Sequence, residues 1–265
     1  MYKVYSLLVV IMLICLGCEW RLRSNDETSG KQLMTIERFD RLESLYLTTG
    51  DYSALLQMNK SYPIETRTLL EDVLQLGEVD EPGINQKFLH FFSDSTLQQL
   101  IVDVQNQFAN IDDLNRELTD AFNRLKKVMP SIEIPQVYTQ IGSFDESIIV
   151  GNKTLGISLD KYLGADYPFY IDHYTERQRQ IMTRSMITPD CLSFYLLSLY
   201  PIPSEKPTQD ERGLHMGKIQ WVVNQVTNRQ VFSNNHVAVV DSFMKRNKKM
   251  SMEQLLSEVN NSSLH

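Results

Sequence analysis

"LGISLDKYLGADYPFY", residues 155–170, joins a short alternating run to a turn that crowds together Asp160, Tyr162, Gly164, Asp166, Tyr167 and Tyr170. Ile157 and Leu159 flank Ser158, so one face of an extended segment enters a core. Asp160 falls where the strand ends and unpaired backbone N–H groups need an acceptor. Gly164 permits a positive φ that other residues resist. Pro168 fixes the exit and biases Tyr167 towards an extended backbone. Two chemical readings of these residues stay open. Asp160 and Asp166 could act as a general-acid pair or as oxygen ligands of Ca²⁺, and the rings could meet a sugar or a protein. An Asp after a strand more often caps a turn. The stretch therefore reads as a structural corner, with Asp160, Tyr162, Gly164, Asp166 and Tyr167 as a candidate docking turn.

The text on either side sets the fold class. "PQVYTQIG" (135–142) and "SIIVG" (147–151) are short and β-branched or alternating, so with 154–160 they predict a small sheet of two or three strands. Elsewhere the spacing is helical. Ile36, Phe39, Leu42 and Leu45 mark a helix from Thr35 that ends at Gly50. Further helices are predicted at 51–58, 64–76, 84–92 and 94–108. Asn110 is a plausible N-cap, with Asp113 three residues on. It opens the clearest helix, with Leu114, Leu118, Ala121, Phe122 and Leu125 on one face and Pro130 beyond its end. After the sheet, 175–186, 188–200, 213–226, 236–245 and 251–259 read as helices. The class is α+β, predominantly α-helical with one small β-sheet.

The N-terminus reads differently. Lys3 precedes an apolar run from Val4 to Leu16, broken by Tyr5 and Ser6. That is short for a span, which needs about 20 apolar residues, and it suits a signal peptide. Gly17-Cys18 then reads as a bacterial lipoprotein cleavage site, with lipid attachment at Cys18; several acyl chains anchor stably where one does not. The expected organisation is a signal peptide over 1–17, a polar tether over 18–34 and one globular domain over 35–265. Losing residues 1–17 removes Lys3 and no acid, moving the formal charge from −7 to −8. An acidic chain has no electrostatic footprint for nucleic acid. With Cys15 cleaved away and Cys18 lipidated, Cys191 has no disulfide partner.

Catalytic motifs are sparse. No two of His90, His173, His215, His236 and His265 stand four apart, so no helix carries the paired imidazoles of a zinc peptidase. His173, His215 and Asp190 could meet in space, but a structural role is the commoner fate of each. Cys191 sits in an apolar helix, as an inert thiol does. No Gly-x-Ser-x-Gly elbow, Ser-x-x-Lys pair or phosphate loop occurs. The tract "KRNKK" (245–249) reads as a solvated stretch, or as a contact for anionic membrane or cell-wall polymer. No cofactor and no metal is expected.

"YTQIGSFDESIIVGNKTLGISLDKYLGADYPFY", "ITPDCLSFYLL" and "GKIQWVVNQV", with "IERFDRL" upstream, resemble the GldB-like gliding-motility lipoproteins of Bacteroidota. The likeness runs from about Ile36 to Gln254. It implies a lipid-anchored protein of the bacterial envelope, with the outer membrane favoured and other envelope proteins as partners. It also implies a degenerate zinc-peptidase-like scaffold, in which the Pro189–Leu197 helix stands where a metal motif would lie and supplies no His or Glu. The family continues beyond Gln254 into another helix, which implies a shortened C-terminal structure here. The leading expectation is a non-catalytic component that docks on envelope or secretion machinery. A divergent metal- or carboxylate-dependent envelope hydrolase and a glycan-binding lipoprotein are the alternatives.

Overall fold

The computed structural model describes residues 34–259 and 264. The signal segment, Cys18 and most of the tether lie outside them. The described residues open with a two-residue strand, β1 (Ile36–Glu37), where a helix was expected to begin. Helices α1 (Phe39–Thr49), α2 (Tyr52–Ser61) and α3 (Pro63–Arg67) follow, and α3 runs into a π-helical turn, Thr68–Val73. Next come α4 (Ile84–Phe91), α5 (Ser95–Gln107) and α6 (Asp112–Val128). All six helices lie on the connection to β2 (Gln136–Gln140), which pairs with β1 in parallel.

Local chemistry accounts for these helices. Asp51 and Asp94 accept N–H groups of the first turns of α2 and α5, and Gly50 ends α1 in the left-handed region at φ 69°. Asn110 accepts the N–H of Asp112 at 2.7 Å, but it stands one residue before the cap position, which Ile111 holds without a side-chain cap bond, so the Asn110 cap expected from sequence is not formed. Asp112 and Asp113 sit in the first turn of α6 and Lys126 and Lys127 in its last, which complements the helix dipole.

The sheet has four strands in the order β1-β2-β4-β3, one more than the upper expectation. β2 pairs in parallel with β4 (Thr154–Ser158), and β3 (Ile148–Val150) joins β4 as an antiparallel edge. A 3₁₀ turn (Leu159–Lys161) leads towards α7 (Pro168–His173) and α8 (Glu176–Arg179). The single helix expected over 175–186 is not formed. After α8 the chain makes a bridge between Leu163 and Thr183 and a second 3₁₀ turn, Arg184–Met186. Then follow α9 (Ile187–Leu199), α10 (Gln209–Thr227), α11 (Asn235–Arg246) and α12 (Met252–Ser257).

The layers meet over the sheet. α1 packs on β2, α9 on β3 and β4, α6 against α9 and α10, and α11 against α10. At the centre of the β2–β4 pair, Gly156 stands beside Tyr138, and a Cβ there would fall 2.6 Å from the Tyr138 hydroxyl. Among the described residues no helix is long and apolar enough to cross a membrane.

Candidate functional site

β2 and β4 both end, side by side, in loops that need hydrogen-bond partners, and buried carboxylates supply them. Asp160 is wholly inaccessible; its two oxygens accept the N–H of Gly142 at 2.7 Å and of Phe144 at 2.6 Å. Burial pushes this carboxyl up, against the two N–H bonds that favour its charge. Asp40 and Glu43 on α1 reach the same strand end. Thr139 Oγ1 donates to Asp40, and the Ile141 N–H donates to Glu43 Oε2 at 2.9 Å. Three carboxyls thus pin the exit of β2.

The loop they hold is tight. Ser143 and Phe144 both have positive φ, 52° and 69°, and the Asp145 N–H returns to the Gly142 carbonyl. Two non-glycine residues in that region are costly unless their surroundings fix them. Phe144 is fixed at both peptide groups, because Lys161 Nζ donates to its carbonyl at 2.8 Å while Asp160 takes its N–H. Its ring is fixed too. Phe144 stacks on Phe169 at 3.9 Å, and Phe169 stacks on His173 at 4.0 Å. The column runs from a buried ring to an exposed imidazole.

The residues singled out from sequence distribute around this corner. Tyr162 is buried and donates to Asp190 Oδ2 at 2.9 Å. Gly164, at φ 110°, gives its N–H to the Met182 carbonyl. Tyr167 donates to Asp103 on α5 at 3.0 Å, and Tyr170 donates to the Asp160 carbonyl. Asp166 is fully solvated and lies 3.9 Å from Arg179. Asp160 is sealed and Asp166 is in water, so the two do not form a general-acid pair or a shared Ca²⁺ site.

The other possible cluster is dispersed as well. His173 Nδ1 meets the Phe169 carbonyl, His215 Nε2 meets the Tyr200 carbonyl, and Asp190 belongs to Tyr162. Among the described residues, no three His, Cys, Asp or Glu side chains are placed to hold a metal ion. Cys191 is buried, and burial pushes its thiol well up. Asp40, Glu43 and Phe144 were missed by sequence reasoning. Their signal was present, since Asp40 and Glu43 lie in the same stripe as Phe39, Tyr46 and Leu47, all of them buried.

The model of the family described as gliding motility protein GldB matches residues 22–233. The chain belongs to the GldB family. No curated protein and no solved structure matches it. The zinc-peptidase-like scaffold that the resemblance implied therefore has no structural match to support it. The GldB match contains β1 to α10 and the whole Asp160 corner; α11 and α12 follow its last residue.

Proposed function

We propose that this GldB-family chain is a lipid-anchored, non-catalytic component of the cell envelope, attached through Cys18, that docks on other envelope proteins by the outer edge of the Asp160 corner. Membership of the family supports the envelope and gliding-motility setting. One observation carries the docking reading. The charged groups of the corner are engaged by its own backbone, while its rim exposes apolar side chains. Asp160 gives both oxygens to N–H groups and Lys161 donates to a carbonyl. Outside them, Ile171 on α7 and Ile181 after α8 are 52% and 54% exposed.

The test is a photoreactive amino acid at Ile171 in cells, with Leu56 on α2 (also 52% exposed) as the matched control. A discrete crosslinked envelope protein at 171 and none at 56 is expected. Identical patterns at both positions, or no product at 171, overturn the reading.

A further inference from the structure

We propose that Glu43 is a built proton site. Its carboxyl holds one proton on Oε1, directed to the amide oxygen of Gln140, and the 141–144 turn forms fully only while that proton is bound. The inference concerns the interior and does not depend on the docking reading.

The geometry begins with unmet acceptors. Glu43 is wholly buried, and its Oε2 takes the Ile141 N–H, but its Oε1 has no partner. Gln140, the residue before Ile141, is also wholly buried; its amide nitrogen donates to Ser158 Oγ at 3.3 Å while its Oε1 has no partner. Two buried oxygens at one strand end lack a donor. With the Gln140 amide nitrogen turned to Ser158, an ionised Glu43 has only lone pairs to offer and leaves both unmet. A neutral carboxylic acid supplies the missing O–H and keeps Oε2 free for Ile141.

The charges around Glu43 favour the same state. On its own helix, Asp40 is answered by Arg38 at 2.7 Å and by Thr139. From the turn after β4 comes Asp160, whose charge is supported by two N–H groups and by nearby Lys161. From β2 comes Tyr138, which also feels Glu65 and Asp72 from α3 and its π continuation. The buried residues of α2 are Ala54, Leu55 and Met58, and those of α5 are Leu100, Ile101 and Val104. Among the described residues no cation is paired with Glu43. Burial first, and then the charges of Asp160 and Asp40, hold its carboxyl well above the usual range against the Ile141 bond. Placing a third negative charge beside two others in a dry interior is unfavourable unless it is paired. Loss of the proton sets Glu43 against Asp160, and these two groups hold consecutive N–H groups of one turn.

Linkage gives the sign. A carboxyl whose folded pKa exceeds its unfolded one stabilises most below the unfolded value. That contribution is lost as pH rises through the folded value. Denaturant unfolding should be followed against pH for the full-length protein and for Glu43→Gln, both in an Asp190→Asn background so that Asp190 does not titrate. The Glu43→Gln curve should be flatter, and the variant should be at least as stable as its parent at neutral pH. Infrared spectra at neutral pH should show a protonated-carboxyl C=O band that Glu43→Gln removes and Asp160→Asn keeps. A parent without the band, a band lost with Asp160→Asn instead, or an unchanged pH slope in Glu43→Gln overturns the proposal. If Glu43→Gln does not fold, the band in the parent and its survival in Asp160→Asn decide the matter.

Discussion

Asp160 shows how one side chain can set a loop. Replacing it by Ala orphans the N–H groups of Gly142 and Phe144, and each buried donor left unmet costs about 1–3 kcal/mol. Asp160→Ala is therefore expected to lose at least about 2 kcal/mol in denaturant unfolding. A wild-type midpoint would show that the two bonds are replaceable by water. Asp190 makes the contrasting case. Burial raises its carboxyl from 3.8 to about 6, against the Tyr162 hydroxyl that donates to it. Its folded pKa lies above the unfolded one, so wild-type stability should fall as pH rises from about 4 through about 6. The loss is limited to roughly 3 kcal/mol, because a tenfold change in proton affinity is worth about 1.4 kcal/mol. Asn keeps an acceptor for Tyr162 and cannot ionise. Asp190→Asn should thus remove that part of the pH dependence and match or exceed wild type at neutral pH. A slope between pH 4 and 6 that the substitution leaves unchanged would place this titration elsewhere.

Among the elements, the β2–β4 pair is where sequence and structure part company. Strand text at 135–142 and 154–160 was legible because β-branched residues alternate there. Its direction was not, because alternation is the same for parallel and antiparallel pairing. β1 was invisible for a related reason. Two residues carry no period, and Ile36 falls in register with the helical stripe of Phe39 and Leu42. The helix expected over 175–186 failed because its only strong capping signal, Thr175 with Gln178, closes one turn; after it the backbone is claimed by Gly164 and Leu163. At the site, Asp160 was legible from its place at a strand end. The residues it holds were not, since Gly142 and Phe144 belong to another strand's loop and only the fold brings them near. Gly156 tests the parallel pairing directly. A Cβ there meets the Tyr138 ring at 2.6 Å, so Gly156→Ala should cost about 1–3 kcal/mol as overpacking. The penalty should shrink in a Tyr138→Leu background. Equal penalties in both backgrounds would mean that these residues are not neighbours.

Across the whole molecule, the GldB match ends at residue 233, but the packing does not end there. α11 lies on α10, where Gly213 and Gly217 admit His236 so closely that a Cβ at either would come within 2.8 Å of it. Val237 and Val240 are buried on α11, as are Leu255 and Leu256 on α12 and Leu264 beyond it. Lys218 on α10 is buried too; it donates to the Val259 carbonyl at 2.9 Å, and burial holds its ammonium below the usual range. Ending the chain at 233 would strip from α10 the cover that α11 and α12 give it, including the His236 packing on Gly213 and Gly217. It would also remove the carbonyl that Lys218 uses. Fully burying one such aliphatic side chain contributes about 1.5–3 kcal/mol, and five buried apolar residues leave together. The sum is comparable to the whole stability of a domain, about 5–15 kcal/mol. A chain covering residues 34–233 is therefore expected to lose cooperative unfolding, whereas one covering 34–265 melts in a single transition. Circular dichroism and denaturant titration of the two, purified in parallel, make the comparison. A truncated chain that still melts cooperatively within a few degrees of the longer one would mean that the family-matched region stands alone and that the last two helices are an appendage.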